Sequence, residues 1–250
     1  MKPFLLIATR PEDETADSEY EQILRFGELT EDQLVRIRLE AAPLPDLHLD
    51  DYSGVIVGGS PFTGSVPDEH KSDTQRRVEA EIATLLDEIV ARDMPFLGAC
   101  YGVGTLGRHQ GAIIDSTYSE PVGGVRITLT EEGTKDPLLE GLPDSFDAFV
   151  GHKEACTKLP DHAVLLASSA TCPVQMFRIK QNLYGTQFHP ELDADGLAER
   201  IDIYRHSGYF APEDADELTR EAYRWDVSAS NRILRNFTRR YARSGSEPSA

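Results

Sequence analysis

Short apolar runs alternate along the chain with stretches where apolar residues recur every three or four positions. Phe4–Ala8, Val35–Leu39, Gly54–Val57 and Phe96–Ala99 are mostly near-continuous apolar runs, the pattern of strands in a parallel sheet covered on both faces. Further strands are predicted at Val122–Leu129, Val164–Ser168, Val174–Ile179 and Leu183–Gln187. The clearest helix is Ser72–Arg92, where Val78, Ile82, Leu85, Leu86 and Ile89 share one face. This alternation predicts an α/β fold with an open, mostly parallel sheet and helices on both faces. β-Branched residues and turn signals such as Gly123-Gly124 and Gly133 predict antiparallel strands added to the same sheet between about 116 and 187. After Glu191 the pattern is helical again, over Ala194–His206 and from Ala215 to about Arg243, with Ile233, Leu234 and Phe237 on one side. With neither repeat nor linker, residues 1–205 are expected to form one α/β domain. A helical C-terminal extension (206–243) then packs on it, and a polar tail (244–250) is disordered.

Composition narrows the function classes. The 43 acidic and 25 basic residues give a net charge of −18, a field that repels phosphate backbones and anionic membranes, so neither is an expected partner. The N-terminal apolar run is too short for a signal peptide or a membrane span and reads as a first buried strand. Cysteines at 100, 156 and 172 form no C-x-x-C pair, which argues against a disulfide framework or a zinc site and for a reducing cytoplasm. No metal or cofactor is expected.

The segment GACYGVGTLG (98–107) carries two overlapping glycine patterns. Gly102, Gly104 and Gly107 spell G-x-G-x-x-G, with Glu120 near the offset of a ribose-binding acid. A dinucleotide unit normally opens its domain, however, and the segment after 107 is too short for a full helix and a second buried strand. Gly98, Cys100 and Gly102 spell G-x-C-x-G, a strained strand-to-helix turn that presents a thiol. The helix N-terminus behind such a thiol favours the thiolate. A buried, inert cysteine beside packing glycines is the bland alternative.

A thiolate needs a base, and the base an orienting group. In YGTQFHPE (184–191), His189 and Glu191 follow a predicted strand and fall at the carboxyl edge of the sheet, where open α/β sheets place their sites. Pro190 keeps His189 out of helical geometry, and Glu191 can reach one imidazole nitrogen. The strand Gly54–Val57 ends in Gly58-Gly59-Ser60-Pro61, whose backbone N–H groups, with that of Tyr101, are candidates for holding an oxyanion.

With these residues in place, VIVGGSP (55–61), PFLGACYG (95–102) and YGTQFHPE (184–191) resemble a class I, triad-type glutamine amidotransferase, in the order and spacing of that family. The likeness spans most of residues 1–205 and is nearest to stand-alone proteins similar to the glutaminase domain of GMP synthase. It implies a flavodoxin-like fold in which Cys100 attacks the side-chain amide of glutamine and forms a γ-glutamyl thioester, releasing ammonia. It further implies His189 as general base and acid, Glu191 as its orienting partner, and Gly59 and Tyr101 as oxyanion donors. Val150-Gly151-His152-Lys153 looks like the family's pocket-lining segment, a solvated loop being the other reading. Gly58, Gly102, Gly104, Gly151 and His152 are the candidate substrate-binding positions. One departure stands out, since the family's usual Gln two residues after the elbow glycine is Gly104 here. The expected substrate is therefore glutamine or another γ-glutamyl amide. Alternatives are a γ-glutamyl hydrolase for non-glutamine conjugates, or a non-catalytic binding module on the same fold. Any ammonia acceptor is expected on a separate synthetase chain, and a homodimer is left open.

Overall fold

Five consecutive buried residues, Phe4–Ala8, form the strand that organises the two main layers. In the computed structural model, which describes residues 1–244, the chain runs β1 (Phe4–Ala8), α1 (Asp13–Gly27), β2 (Leu34–Arg38), β3 (Val55–Val57), α2 (Asp73–Arg92), β4 (Phe96–Ala99), α3 (Tyr101–His109) and β5 (Ile113–Asp115). It continues through β6 (Glu120–Leu129), α4 (Glu131–Lys135), β7 (Ser145–His152), β8 (Ala155–Lys158), β9 (Ala163–Ser168), β10 (Met176–Ile179), β11 (Leu183–Thr186), α5 (Ala194–Ile203), α6 (Ala215–Ala222) and α7 (Ser228–Tyr241). The polar tail predicted at 244–250 falls, apart from Ser244, outside the described residues.

Because strand side chains alternate between faces, β1 serves two cores. Phe4 and Leu6 pack with Ile23 of α1 and Ile233 and Phe237 of α7. Leu5 and Ile7 pack with Val78, Ile82 and Ile89 of α2 and Val103 of α3. Each such side chain contributes roughly 1.5–3 kcal/mol on burial. α7 is thus part of the layer over the sheet, its Phe237 ring 5.8 Å from that of Phe4.

The sheet has nine strands in the order β2-β1-β3-β4-β11-β10-β9-β6-β7, with β5 and β8 paired separately. From β2 to β11 every pairing is parallel, and from β11 to β7 every pairing is antiparallel. This is the mixed α/β sheet predicted, with antiparallel strands extending a parallel half. Since β1, β3, β4 and β11 run parallel, the segments after them emerge at one edge: Thr9-Arg10, Gly58–Thr63, Cys100 and Gln187–Glu191.

The structure corrects two expectations. The single helix predicted from Ala215 to Arg243 is two, broken after Ala222. The break lets Trp225 lie against Gly124, where an added Cβ would collide with the indole, and the Asp226 carboxylate accepts the Ser228 N–H to start α7. The solvated loop considered for Gly151-His152 is instead the end of β7, bonded to β6. No helix among the described residues is long and apolar enough to cross a membrane.

Candidate active site

At the end of β4 the chain turns into α3 through a single residue, Cys100, at φ 52° and ψ −88°. A non-glycine residue with positive φ is strained, and the flanking glycines make the turn sterically feasible. A Cβ on Gly98 would sit 2.7 Å from the backbone of Gly102, and one on Gly102 would sit 3.3 Å from the Val57 carbonyl. The Cys100 N–H donates to the Thr186 carbonyl. Tyr101, the first helical residue, has no carbonyl one turn earlier within the helix to receive its N–H. Cys100 is partly exposed, whereas Cys156 and Cys172 are fully buried. Burial pushes the Cys156 thiol up to about 12 and the Cys172 thiol to about 11.

His189 sits just past β11, its backbone N–H donating to the Phe149 carbonyl of β7. Its Nδ1 lies 2.6 Å from Glu191 Oε1, leaving Nε2 as the nitrogen open to the thiol. The Asn231 amide of α7 donates to the carbonyls of Pro190 and Leu192, so the C-terminal helix holds the turn that carries both residues. Both side chains are buried, and Arg200 Nη1 lies 3.4 Å from Glu191 Oε1. Burial alone would lower the His189 pKa, but the Glu191 carboxylate and Cys100 outweigh it and raise it to about 9. Glu191, despite its own burial, is held down at about 2, chiefly by His189.

These shifts fix a pH signature. The imidazolium is favoured by folding, so its contribution to stability is full below the ordinary histidine value of 6.5 and is lost as pH rises through about 9. The Glu191 carboxylate contributes above 4.5 and loses its contribution as pH falls through about 2. The expected stability profile declines on the alkaline side between pH 6.5 and 9, and His189→Gln flattens that decline. Thermal denaturation of both proteins across this range checks it; identical slopes would contradict the coupling.

The predicted oxyanion glycine is engaged elsewhere. Gly59 donates its N–H to Glu19 Oε1 at 3.1 Å, and the same oxygen accepts from Arg10 Nε at 3.0 Å. In this conformation Gly59 is therefore not a free donor. Gly58 backs onto Glu19 as well, since a Cβ there would collide with its carboxylate. Glu19 and Arg10, which hold this glycine turn, lie outside the three motifs. Arg10 follows β1 at the shared carboxyl edge, and that placement is the signal that could have found it.

Two cavities meet at Cys100. One is lined by Gly104, Gly151, His152, Lys153, Glu154 and Gln187 among others. The other is lined by His189, Arg10, Arg200 and a set of apolar residues. Ser60, Gly151 and Tyr209 border both. Of the predicted substrate-binding positions, Gly104, Gly151 and His152 border the cavities, while Gly58 and Gly102 are packed behind them against Glu19 and Val57. The His152 ring is fully occupied within the protein, with Nε2 2.7 Å from Glu120 Oε2 and Nδ1 3.0 Å from the Glu154 carbonyl. Glu154, which no sequence pattern marks, receives the N–H groups of Gly64 and Ser65. A Cβ at position 104 would come within 3.1 Å of its Oε1, so Glu154 occupies the side of the pocket that a longer residue at 104 would enter.

A thiol on a strained strand-to-helix turn thus lies at the same sheet edge as a histidine paired to a carboxylate, on an α/β sheet covered on both faces. The family profile described as glutamine amidotransferase class-I matches residues 23–198, and the chain belongs to that family. It is 30% identical over 159 residues to a GMP synthase [glutamine-hydrolyzing] of Borreliella burgdorferi, covering 64% of this chain and 28% of that one. It is 28% identical over 151 residues to a GMP synthase [glutamine-hydrolyzing] subunit of Methanoregula boonei, covering 60% and 71%. The chain spans about a quarter of the length of the GMP synthases that it matches. A glutamine amidotransferase of Thermotoga maritima superposes with a TM-score of 0.78 at 21% identity, covering 98% of this chain and 100% of that one. One from Methylobacillus flagellatus gives 0.73 at 20% identity, covering 100% and 99%. At these identities the superpositions establish the fold.

Proposed function

We propose that this protein cleaves the side-chain amide of glutamine, or of a related γ-glutamyl substrate, through a thioester on Cys100. The observation that carries the reading is the strained Cys100 turn set beside His189, whose Nδ1 is held by Glu191. With the proton of the Cys100–His189 pair resting on the imidazole, Sγ attacks the amide carbon, and the imidazolium gives that proton to the departing nitrogen. Water, deprotonated by the same imidazole, then releases glutamate. The Tyr101 N–H points to one oxyanion donor. A second donor at Gly59 requires its N–H to leave Glu19.

The cavity containing Glu154 is suited to the amino-acid end of the substrate. Its carboxylate is an acceptor for the substrate ammonium, in the space where the family's usual Gln would reach. A separate chain receiving the ammonia is the expected arrangement for a glutaminase of this kind. The Methanoregula boonei relative, named as one subunit of a GMP synthase, is consistent with it.

A glutamine-mimicking electrophile tests the reading. Labelling should be rapid, stoichiometric and confined to Cys100 at neutral pH, because the other two thiols are buried and shifted upward. Labelling no faster than that of an ordinary exposed thiol would favour a non-catalytic module instead.

A further inference from the structure

The two cavities at Cys100 differ in one respect that assigns their contents. His189 borders only the second. In amide cleavage by a thiol the departing nitrogen must collect a proton from the imidazolium, so the leaving group lies on the histidine side of the thiol. The acyl part then extends into the first cavity, toward Glu154. For glutamine the leaving group is ammonia, which needs no cavity of its own. Yet the second cavity is walled by Val122, Val150, Leu192, Leu197, Ile201 and Phe210. Of its two guanidinium groups, Arg10 donates to Glu19 and Tyr204, and Arg200 Nη1 lies 3.4 Å from Glu191 Oε1 while its Nη2 has no partner among the described residues.

Resting on the Cys100 thioester reading, we propose that the second cavity is a leaving-group site and that the preferred substrate is an N-substituted γ-glutamyl amide whose amine carries an apolar alkyl or aryl group. The bond from Sγ to the amide carbon forms as the carbon–nitrogen bond breaks. The thiol proton passes through His189 to the nitrogen, and the neutral amine departs through the apolar chamber. Water then adds to the thioester carbon, giving glutamate and the free thiol. No oxidant or co-substrate other than water is needed.

Four segments supply most of the wall. Val122 and Val150 come from the paired strands β6 and β7, Leu197 and Ile201 from α5, and Phe210 from the segment leading to α6. Leu197 and Ile201 are both almost fully buried, so a larger side chain at either position projects into the chamber or displaces its wall. Each methylene of the amine buried there multiplies the rate by up to roughly fourfold, from the usual transfer free energy of a methylene.

The experiment measures kcat/KM of the full chain on L-glutamine, γ-glutamyl-methylamide, γ-glutamyl-n-butylamide and γ-glutamyl-anilide. The expected result is a rise along the alkyl series, with the butylamide at least tenfold above glutamine. Leu197→Phe and Ile201→Phe should each cut the butylamide-to-glutamine ratio at least tenfold. A ratio is informative even where the variant is less stable, because both substrates are turned over by the same folded molecules. Glutamine as the best substrate, with the alkyl amides slower in order of size, would overturn the leaving-group site while leaving the thioester reading intact; the chamber would then be a passage for ammonia. No Cys100-dependent turnover of any member of the series would overturn the thioester reading itself.

Discussion

Replacing Cys100 with Ser is expected to lower amide turnover by roughly 10⁴-fold or more, with little change in melting temperature. The magnitude is that of removing one member of a nucleophile–base–carboxylate unit, whose members act together. The chemical reason is acidity. A serine hydroxyl at this turn cannot be ionised by an imidazole, whereas a thiol can. Stability should hold because the substitution changes one atom of a partly exposed side chain. The pair is compared by ammonia or amine release at matched concentrations; equal rates would remove Cys100 from the chemistry.

Gly98→Val should have the second-largest effect. A single Cβ at this position already lies 2.7 Å from the Gly102 Cα and carbonyl carbon, and those backbone atoms cannot move without reopening the turn that sets Cys100 at φ 52°. Overpacking of this kind costs about 1–3 kcal/mol in ordinary cores and more against backbone. Loss of the Cys100 geometry adds at least about 10²-fold in rate, since small misplacements at a reacting centre are amplified. Urea unfolding and kcat/KM measured together should both fall. A variant with native stability and rate would show that the turn tolerates a side chain at 98.

Much of this site is legible in the sequence because its steric demands fall on neighbouring residues. G-x-C-x-G announces a strained turn through its glycines, and Phe-His-Pro-Glu places a base and an acid two residues apart past a buried strand. The parallel half of the fold is legible for a similar reason, since strands buried on both faces are apolar throughout. β7 is harder to see, although Phe146, Ala148, Val150 and His152 alternate inward and are all buried. Its outward residues and the polar turn before it mask the period. α1 is not delimited by pattern because its inward face includes Thr15, Glu19 and Gln22, so the helical stripe is partly polar. Glu19 is hidden along with it, being a carboxylate made internal by a partner, Arg10, nine positions away. Glu154 becomes visible only when β7 and β8 bring its loop beside Gly104. Distant pairings of this kind leave no local periodicity to read.

An acyl-enzyme on Cys100 can be trapped directly. Turnover of a γ-glutamyl amide, quenched in acid and analysed by peptide mass spectrometry, should show one γ-glutamyl group on the peptide containing Cys100, absent from Cys100→Ser and absent when substrate is omitted. Steady turnover with no adduct at Cys100, or an adduct on Cys156 or Cys172, would contradict it.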